Sequence, residues 1–284
     1  MTISAIIMSS KNLVDKMNEE MQAMVNELKL KGVIPGLAVL LVGEHPASQT
    51  YVRNKQKRAE LLGFNSKVVR YPQEVSEQEI LREIEQFNQD DTIHGILIQL
   101  PLPKQIDPEK VLNAVNPAKD VDGFHPVNMG KLLIGEPDKI ACTPYGIMKL
   151  LDYYQIDIIG KTAVVIGRSN IVGKPMAQLL LMNDATVTIA HSKTSHLAEI
   201  AKTADILVVA IGRGHFVTKE FIKPGAVVID VGMNRDAKGK LVGDVKADEV
   251  AELASYLTPV PGGVGPMTIT MLLYQTIISA QRTI

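Results

Sequence analysis

Two series of short apolar runs, each separated from the next by a stretch of helical periodicity, constrain the fold of this chain more than any other feature. In the first series, residues 37–42, 67–71 and 95–100 read as strands, with helices expected near 47–62 and over 77–88. In the second, residues 162–166, 186–190, 206–210 and 226–230, with a shorter run at 256–258, are continuous Val/Ile/Ala-rich segments, as expected where both faces of a sheet are covered. Strands alternating with helices predict βαβ units, right-handed crossovers and parallel sheets. Leu13, Met17, Met21, Met24, Val25 and Leu28 recur at helical spacing and stop before Gly32, so a helix is expected over 10–31. Residues 116–143, rich in Pro, Gly, Asp and Lys, are expected to be joining loops; 145–154 reads as a connecting helix and 267–280 as a final apolar helix. At 284 residues the chain can bury two cores. The expected architecture is α/β, with two domains around a cleft: an N-terminal α/β substrate domain over 1–140, completed by a C-terminal helix at 267–284, and a Rossmann-like parallel sheet over 141–266.

Charge excludes several partners. Thirty basic residues against thirty-one acidic ones leave a net charge of −1, so no global field draws nucleic acid or a membrane surface. The single cysteine, Cys142, cannot form an intramolecular disulfide, which suits a reducing compartment. The first nine residues lack the basic start and cleavage pattern of a signal peptide, and the apolar runs 93–100 and 206–211 fall far short of the roughly 20 residues a membrane helix needs. A cytoplasmic protein is expected. The six histidines (45, 94, 125, 191, 196, 215) are scattered, no Ser–His–acid or metal-ligand spacing occurs, and no metal is expected.

The strand at 162–166 breaks into Gly167-Arg168-Ser169-Asn170-Ile171-Val172-Gly173-Lys174-Pro175. A glycine loop between a buried strand and a helix start aims backbone N–H groups and a helix dipole at an anion, typically a cofactor phosphate. The glycine spacing misses G-x-G-x-x-G by one residue, and an ordinary βα turn would read the same way. At the end of the second strand, where an acid would bind the ribose hydroxyls of NAD, the chain has His191-Ser192-Lys193-Thr194. With Arg168 in the loop, this favours NADP over NAD, the lesser alternative being that His191 and Lys193 simply cap the strand end in solvent.

On the substrate side, Tyr51 and Lys55 are four apart and share a helical face, an aromatic platform beside an amine, unless the basic run is merely solvated. Gln99 stands at the carboxyl end of an apolar strand, where ligands bind in open α/β sheets, or simply bonds the Pro101-Leu102-Pro103 turn. Asp120 and Asp122 lie in a turn-forming loop. The segment Thr258-Pro259-Val260-Pro261-Gly262-Gly263-Val264-Gly265-Pro266 combines three glycines with three prolines, which suits backbone presented closely to a flat ligand or a rigid tie.

In this order, Gly43–Ser48 through Tyr51-x-x-x-Lys55, Gln99–Pro103, Lys119–Gly123, Cys142-Thr-Pro-x-Gly146, Gly167–Pro175, His191–Thr194, Asp230-Val-Gly232 and Pro259–Thr268 resemble the bifunctional methylenetetrahydrofolate dehydrogenase/cyclohydrolase family. The resemblance implies NADP-dependent oxidation of 5,10-methylenetetrahydrofolate and hydrolysis of the methenyl product to 10-formyltetrahydrofolate, within one-carbon metabolism and purine biosynthesis. It implies that Tyr51 stacks on the folate, Lys55 is the catalytic amine, Gln99 positions it and Asp122 binds the pterin, with Pro261, Gly262 and Gly263 on the substrate side. It places Gly167, Arg168, Ser169 and Ser192 on the cofactor phosphates and Met233 near the nicotinamide, and implies a homodimer. His45, Ala141 and Tyr145 depart from the family's usual residues without removing any proposed catalytic group.

The chemistry fits these residues. Hydride leaves a carbon held between two nitrogens, so oxidation requires positioned rings rather than a base. Hydrolysis requires one proton-transferring group, and a lysine in that role needs roughly 4–5 kcal/mol of differential destabilisation of its ammonium to be neutral near pH 7. A cyclic hydroxy-acid dehydrogenase of the shikimate type would not need an aromatic residue beside its lysine. A redox-sensing module would have no use for the amine.

Overall fold

Helix α1 (Lys11–Leu30) buries Leu13, Val14, Met17, Met21, Val25 and Leu28, the stripe that a 3.6-residue turn stacks on one face. The computed structural model describes residues 4–284. β1 (Ile6–Ile7) precedes α1, and β2 (Gly36–Val42), α2 (Pro46–Leu61), β3 (Asn65–Tyr71), α3 (Glu77–Gln89), β4 (Gly95–Ile98), α4 (Pro108–Asn113), α5 (Pro126–Leu133) and α6 (Cys142–Tyr153) follow it. Then come β5 (Thr162–Ile166), α7 (Gly173–Met182), β6 (Thr186–Ala190), α8 (Leu197–Ala201), β7 (Ile206–Val209), a 3₁₀ turn at Lys219–Phe221 and β8 (Val227–Asp230). β9 (Asn234–Arg235), β10 (Leu241–Val242), α9 (Ala247–Val250), β11 (Tyr256–Leu257) and α10 (Val264–Gln281) complete the chain.

The chain divides into two compact units. One comprises 16–140 and 269–284 and carries the parallel sheet β3-β2-β4, with Leu40 opposite both Val69 and Ile98. Every residue of β2 is buried, the pattern of a central strand covered on both faces. Ala38, Leu40, Ile80, Ile84, Phe87, Ile96 and Val111 form much of its core. Ser76 starts α3 with a capping box: its Oγ accepts from the Glu79 N–H while the Glu79 carboxylate accepts from the Ser76 N–H.

The other unit comprises residues up to 15 together with 141–268, and its six-stranded parallel sheet runs β1-β11-β8-β7-β5-β6. β5 lies between β6 and β7, so the chain reverses direction across the sheet there, the switch point at which such sheets bind ligands. Val164, Ile166, Leu207, Val209 and Val228 lie in its core.

Three sequence expectations change. Residues 4–15 were expected with the first domain but cluster with 141–268, because Ile6 and Ile7 pair in parallel with Tyr256 and Leu257, a contact that sequence periodicity does not reveal. The final helix starts at Val264 rather than 267; its residues from 269 onward cluster with 16–140, the side on which the helix was expected. The span 116–143 is not all loop. It contains α5, with Pro126 in its first turn and His125 Nδ1 accepting from the Val127 N–H at 3.1 Å. No helix among the described residues is long and apolar enough to cross a membrane.

Candidate active site

Pro46 opens α2 at the position where its missing N–H costs nothing, and the helix then carries Tyr51 and Lys55 on one face, a turn apart. Lys55 is 5% exposed, with Nζ donating to Gln99 Oε1 at 3.2 Å and lying 5.6 Å from the Tyr51 ring centroid. Gln99 follows β4 directly. Its backbone N–H extends the ladder to the Leu40 carbonyl at 2.9 Å, and its Nε2 donates to the Leu100 carbonyl at 2.7 Å. The second bond fixes which face of the amide meets the lysine. Amine, amide oxygen and aromatic ring thus meet at the carboxyl end of the parallel sheet. None of the ion pairs among the described residues includes Lys55, so its electrostatic partner is a neutral oxygen rather than a carboxylate. Burial raises the pKa of the Tyr51 phenol and keeps it uncharged.

The two acids of the Lys119–Gly123 turn have different surroundings. Asp120, 5% exposed, accepts from the backbone N–H groups of Gly123, Phe124 and His125 and from Asn128 Nδ2 at 2.8 Å. It holds the turn. Asp122 is half-buried, and the Lys119 and Asp120 backbone runs parallel beside Ile96, in the direction that takes β4 on to Gln99. Gln275 of α10 donates to the Val121 carbonyl at 2.8 Å and fixes the segment from behind. A cavity of about 820 Å³ lies at the opposite, amino end of the sheet. Its Lys119 is engaged by the carbonyls of Phe87, Asn88 and Asp90, and its His94 accepts from the Gly36 N–H.

In the other unit β5 is followed by Gly167, whose φ is +136° and where a Cβ would stand 2.4 Å from the Ala210 carbonyl oxygen. A Cβ on Gly173, the first residue of α7, would lie 2.3 Å from the Gly167 oxygen. Both positions need glycine, and together they let the helix start close against the strand end. Ser169 Oγ accepts from the Val172 and Gly173 N–H groups at 3.2 and 3.3 Å, which leaves its hydroxyl hydrogen to donate. A cavity of about 280 Å³ opens beside this turn. Ile166, Leu197, Ala210, Ile211 and Phe216 give it apolar walls, and Gly167, Arg168, His191, Ser192 and Arg213 line the rest. No acidic residue lines it, so the residues present suit a flat apolar ring joined to a phosphate dianion. Ser169 and Met233 do not line this cavity; Met233 follows β8 and is half exposed. In the Pro261–Gly263 segment, Gly262 has φ +101° and its carbonyl accepts from the Ser10 N–H and Oγ.

Sequence reasoning did not single out Arg213, Phe216 or Asp244. Asp244 is fully buried and its carboxylate accepts from the backbone N–H groups of Ile211, Gly212 and Arg213 at 2.7, 3.0 and 2.7 Å. Asp230, which accepts from the Gly232, Asp244 and Val245 N–H groups, has its pKa pushed up to about 6 by burial. The sequence offered an Asp-Val-Gly at 230–232 as a signal for one of this pair and none for the other.

Two family models match, the tetrahydrofolate dehydrogenase/cyclohydrolase catalytic domain over residues 8–122 and the NAD(P)-binding domain of the same enzymes over 141–284. The chain belongs to the tetrahydrofolate dehydrogenase/cyclohydrolase family. It is 66% identical over 276 residues to the bifunctional protein FolD of Enterococcus faecalis, covering 97% of this chain and 98% of the relative. The crystal structure of the bifunctional FolD methylenetetrahydrofolate dehydrogenase/cyclohydrolase of Campylobacter jejuni superposes with a TM-score of 0.97 at 47% identity, over 99% of this chain and all of that one. The Trypanosoma brucei enzyme, complexed with NADP and an inhibitor, gives 0.94 at 40% identity over 99% and 98% of the two chains. As a family member, the chain is a bifunctional folate enzyme. It oxidises 5,10-methylenetetrahydrofolate to the methenyl cation with a nicotinamide dinucleotide, and hydrolyses that cation to 10-formyltetrahydrofolate. Among the described residues no group of three or more His, Cys, Asp or Glu could hold a metal.

Proposed function

We propose that the chain carries out these reactions with NADP rather than NAD, and that Lys55 moves the protons of the hydrolytic step. The observation that carries this reading is the buried Lys55 amine, bonded to Gln99 Oε1 beside the Tyr51 ring with no carboxylate as its ion-pair partner. Tyr51 offers its ring to the folate, and Asp122 accepts hydrogen bonds from the pterin. In oxidation these residues hold the methylene carbon in place, and no side chain need remove a proton. NADP supplies the hydride acceptor. In hydrolysis water adds to the methenyl carbon, the Lys55 amine takes one of the water's protons and returns it to the ring nitrogen as its C–N bond breaks, and the remaining hydroxyl proton passes to solvent as the formyl C=O forms. Gln99 Oε1 accepts from the amine and so orients its lone pair.

Residues 16–140 with 269–284 form the folate-binding catalytic domain, and 141–268 with the first residues forms the NADP-binding domain. Gly167 and Ser169 face the diphosphate, Arg168 and Ser192 the 2′-phosphate and Met233 the nicotinamide; Pro261, Gly262 and Gly263 present main chain to the substrate. The acid-free lining of the 280 Å³ cavity supports NADP. The enzyme works as a homodimer, a reading supported by β6: it is a sheet edge, and Ile189 on it and Leu181 and Met182 just before it are exposed. A cytoplasmic location accords with the single, buried cysteine. The test is spectrophotometric: NADP-dependent appearance of methenyltetrahydrofolate, then its decay above the uncatalysed rate. Lys55→Met should lose the second activity far more than the first, and full cyclohydrolase activity in that variant would sink the assignment.

A further inference from the structure

The cofactor-side cavity is lined by two arginines from two different loops. Arg168 follows β5, and Arg213 follows β7, the neighbouring strand. Neither side chain forms an ion pair or hydrogen bond with another side chain or carbonyl among the described residues, and no carboxylate lines the cavity. Two unneutralised cations at one cavity repel each other, and that cost is offset when a multiply charged anion binds between them.

Arg213 is also held in place. Its backbone N–H is the last of three consecutive donors to the buried Asp244 carboxylate, which fixes the root of the side chain. Its guanidinium carbon stands 4.6 Å from the centroid of Phe216, another lining residue. Stacking on a ring occupies the flat face of a guanidinium and leaves its N–H edge directed outward, the edge that bonds phosphate oxygens.

We propose that Arg213 is a specificity-determining residue that binds the 2′-phosphate of NADP together with Arg168 and Ser192, with Asp244 and Phe216 as the residues that position it. This deepens, and rests on, the NADP reading above. It adds a second arginine, from a loop outside the glycine turn and the strand end where sequence patterns place cofactor specificity.

The experiment is calorimetric binding of 2′,5′-ADP and of 5′-AMP to the full chain and to Arg213→Met, which keeps an apolar side chain over Phe216 but removes the charge. Loss of one arginine–phosphate contact should weaken 2′,5′-ADP about tenfold and leave 5′-AMP within about twofold. Arg213→Lys should recover part of the loss as a point charge without the forked geometry. Phe216→Leu, which removes the ring beneath the guanidinium, should weaken 2′,5′-ADP more than 5′-AMP. If Arg213→Met binds 2′,5′-ADP like the parent, or loses both ligands equally, the proposal is overturned. If the parent chain itself fails to prefer 2′,5′-ADP over 5′-AMP, the NADP reading falls instead.

Discussion

Replacing Gln99 by leucine isolates the contact on which the hydrolytic assignment depends. The change removes the Oε1 that accepts from Lys55 Nζ at 3.2 Å, and the Nε2 that donates to the Leu100 carbonyl, while keeping a side chain of similar size at the end of β4. Leaving a buried donor without its acceptor costs roughly 1–3 kcal/mol, and Lys55 is too buried for water to substitute freely. If that orientation is needed only while protons move, the loss appears in the barrier, and about 1.4 kcal/mol per factor of ten gives a fall in cyclohydrolase kcat of about ten- to a hundredfold. Oxidation requires no base, so dehydrogenase kcat should fall less than about threefold. Both activities can be followed in one cuvette by absorbance, with methenyltetrahydrofolate supplied directly for the hydrolytic step. Gln99→Glu should suppress hydrolysis further, since a carboxylate against the amine favours the ammonium form. An unchanged cyclohydrolase kcat in Gln99→Leu, or equal losses in both activities, would refute the argument that Gln99 serves the proton-transfer step.

Three other outcomes are expected. Asp122→Ala should raise the KM for folate by about tenfold while leaving 2′,5′-ADP binding unchanged, because the Asp120 carboxylate still anchors the turn through three backbone N–H groups; equal loss of both ligands in calorimetry would count against it. Gly173→Ala places a methyl 2.3 Å from the Gly167 oxygen, so the start of α7 must move and 2′,5′-ADP affinity should drop by more than about tenfold, with hydrolysis of supplied methenyltetrahydrofolate largely retained. Lys139 is 1% exposed, with Ser279 Oγ as its one hydrogen-bond partner among the described residues, and burial lowers its pKa from 10.5 to about 8. The unfolded chain therefore binds more protons between about pH 8 and 10.5, and this group makes stability rise with pH across that window. Lys139→Met should stabilise the protein at pH 7 by about 1–3 kcal/mol and flatten that rise in urea titrations at several pH values.

The elements legible in the sequence are those whose cause is local. β5 and β6 appear at the expected bounds because continuous apolar runs between turn residues leave little choice. α5 escaped notice because its eight residues carry little periodicity and its cap comes from a histidine. Tyr51 and Lys55 were readable as a pair because a helical turn alone sets their spacing. Their meeting with Gln99, 44 residues on, required β4 to lie beside β2 in register.

Sequence by itself determined the parallel α/β class and the glycine turn with no acid at the following strand end, since both depend on local spacing, while the folate roles came from the family resemblance. Tertiary structure decided what distance along the chain conceals. Ile6 and Ile7 join a sheet completed 250 residues later by Tyr256 and Leu257. Asp120 became the turn's anchor because folding brings the backbone N–H groups of Gly123, Phe124 and His125 onto its carboxylate. Arg213 came to line the cavity with Arg168 because parallel strands bring their carboxyl ends together, whatever the length of chain between them.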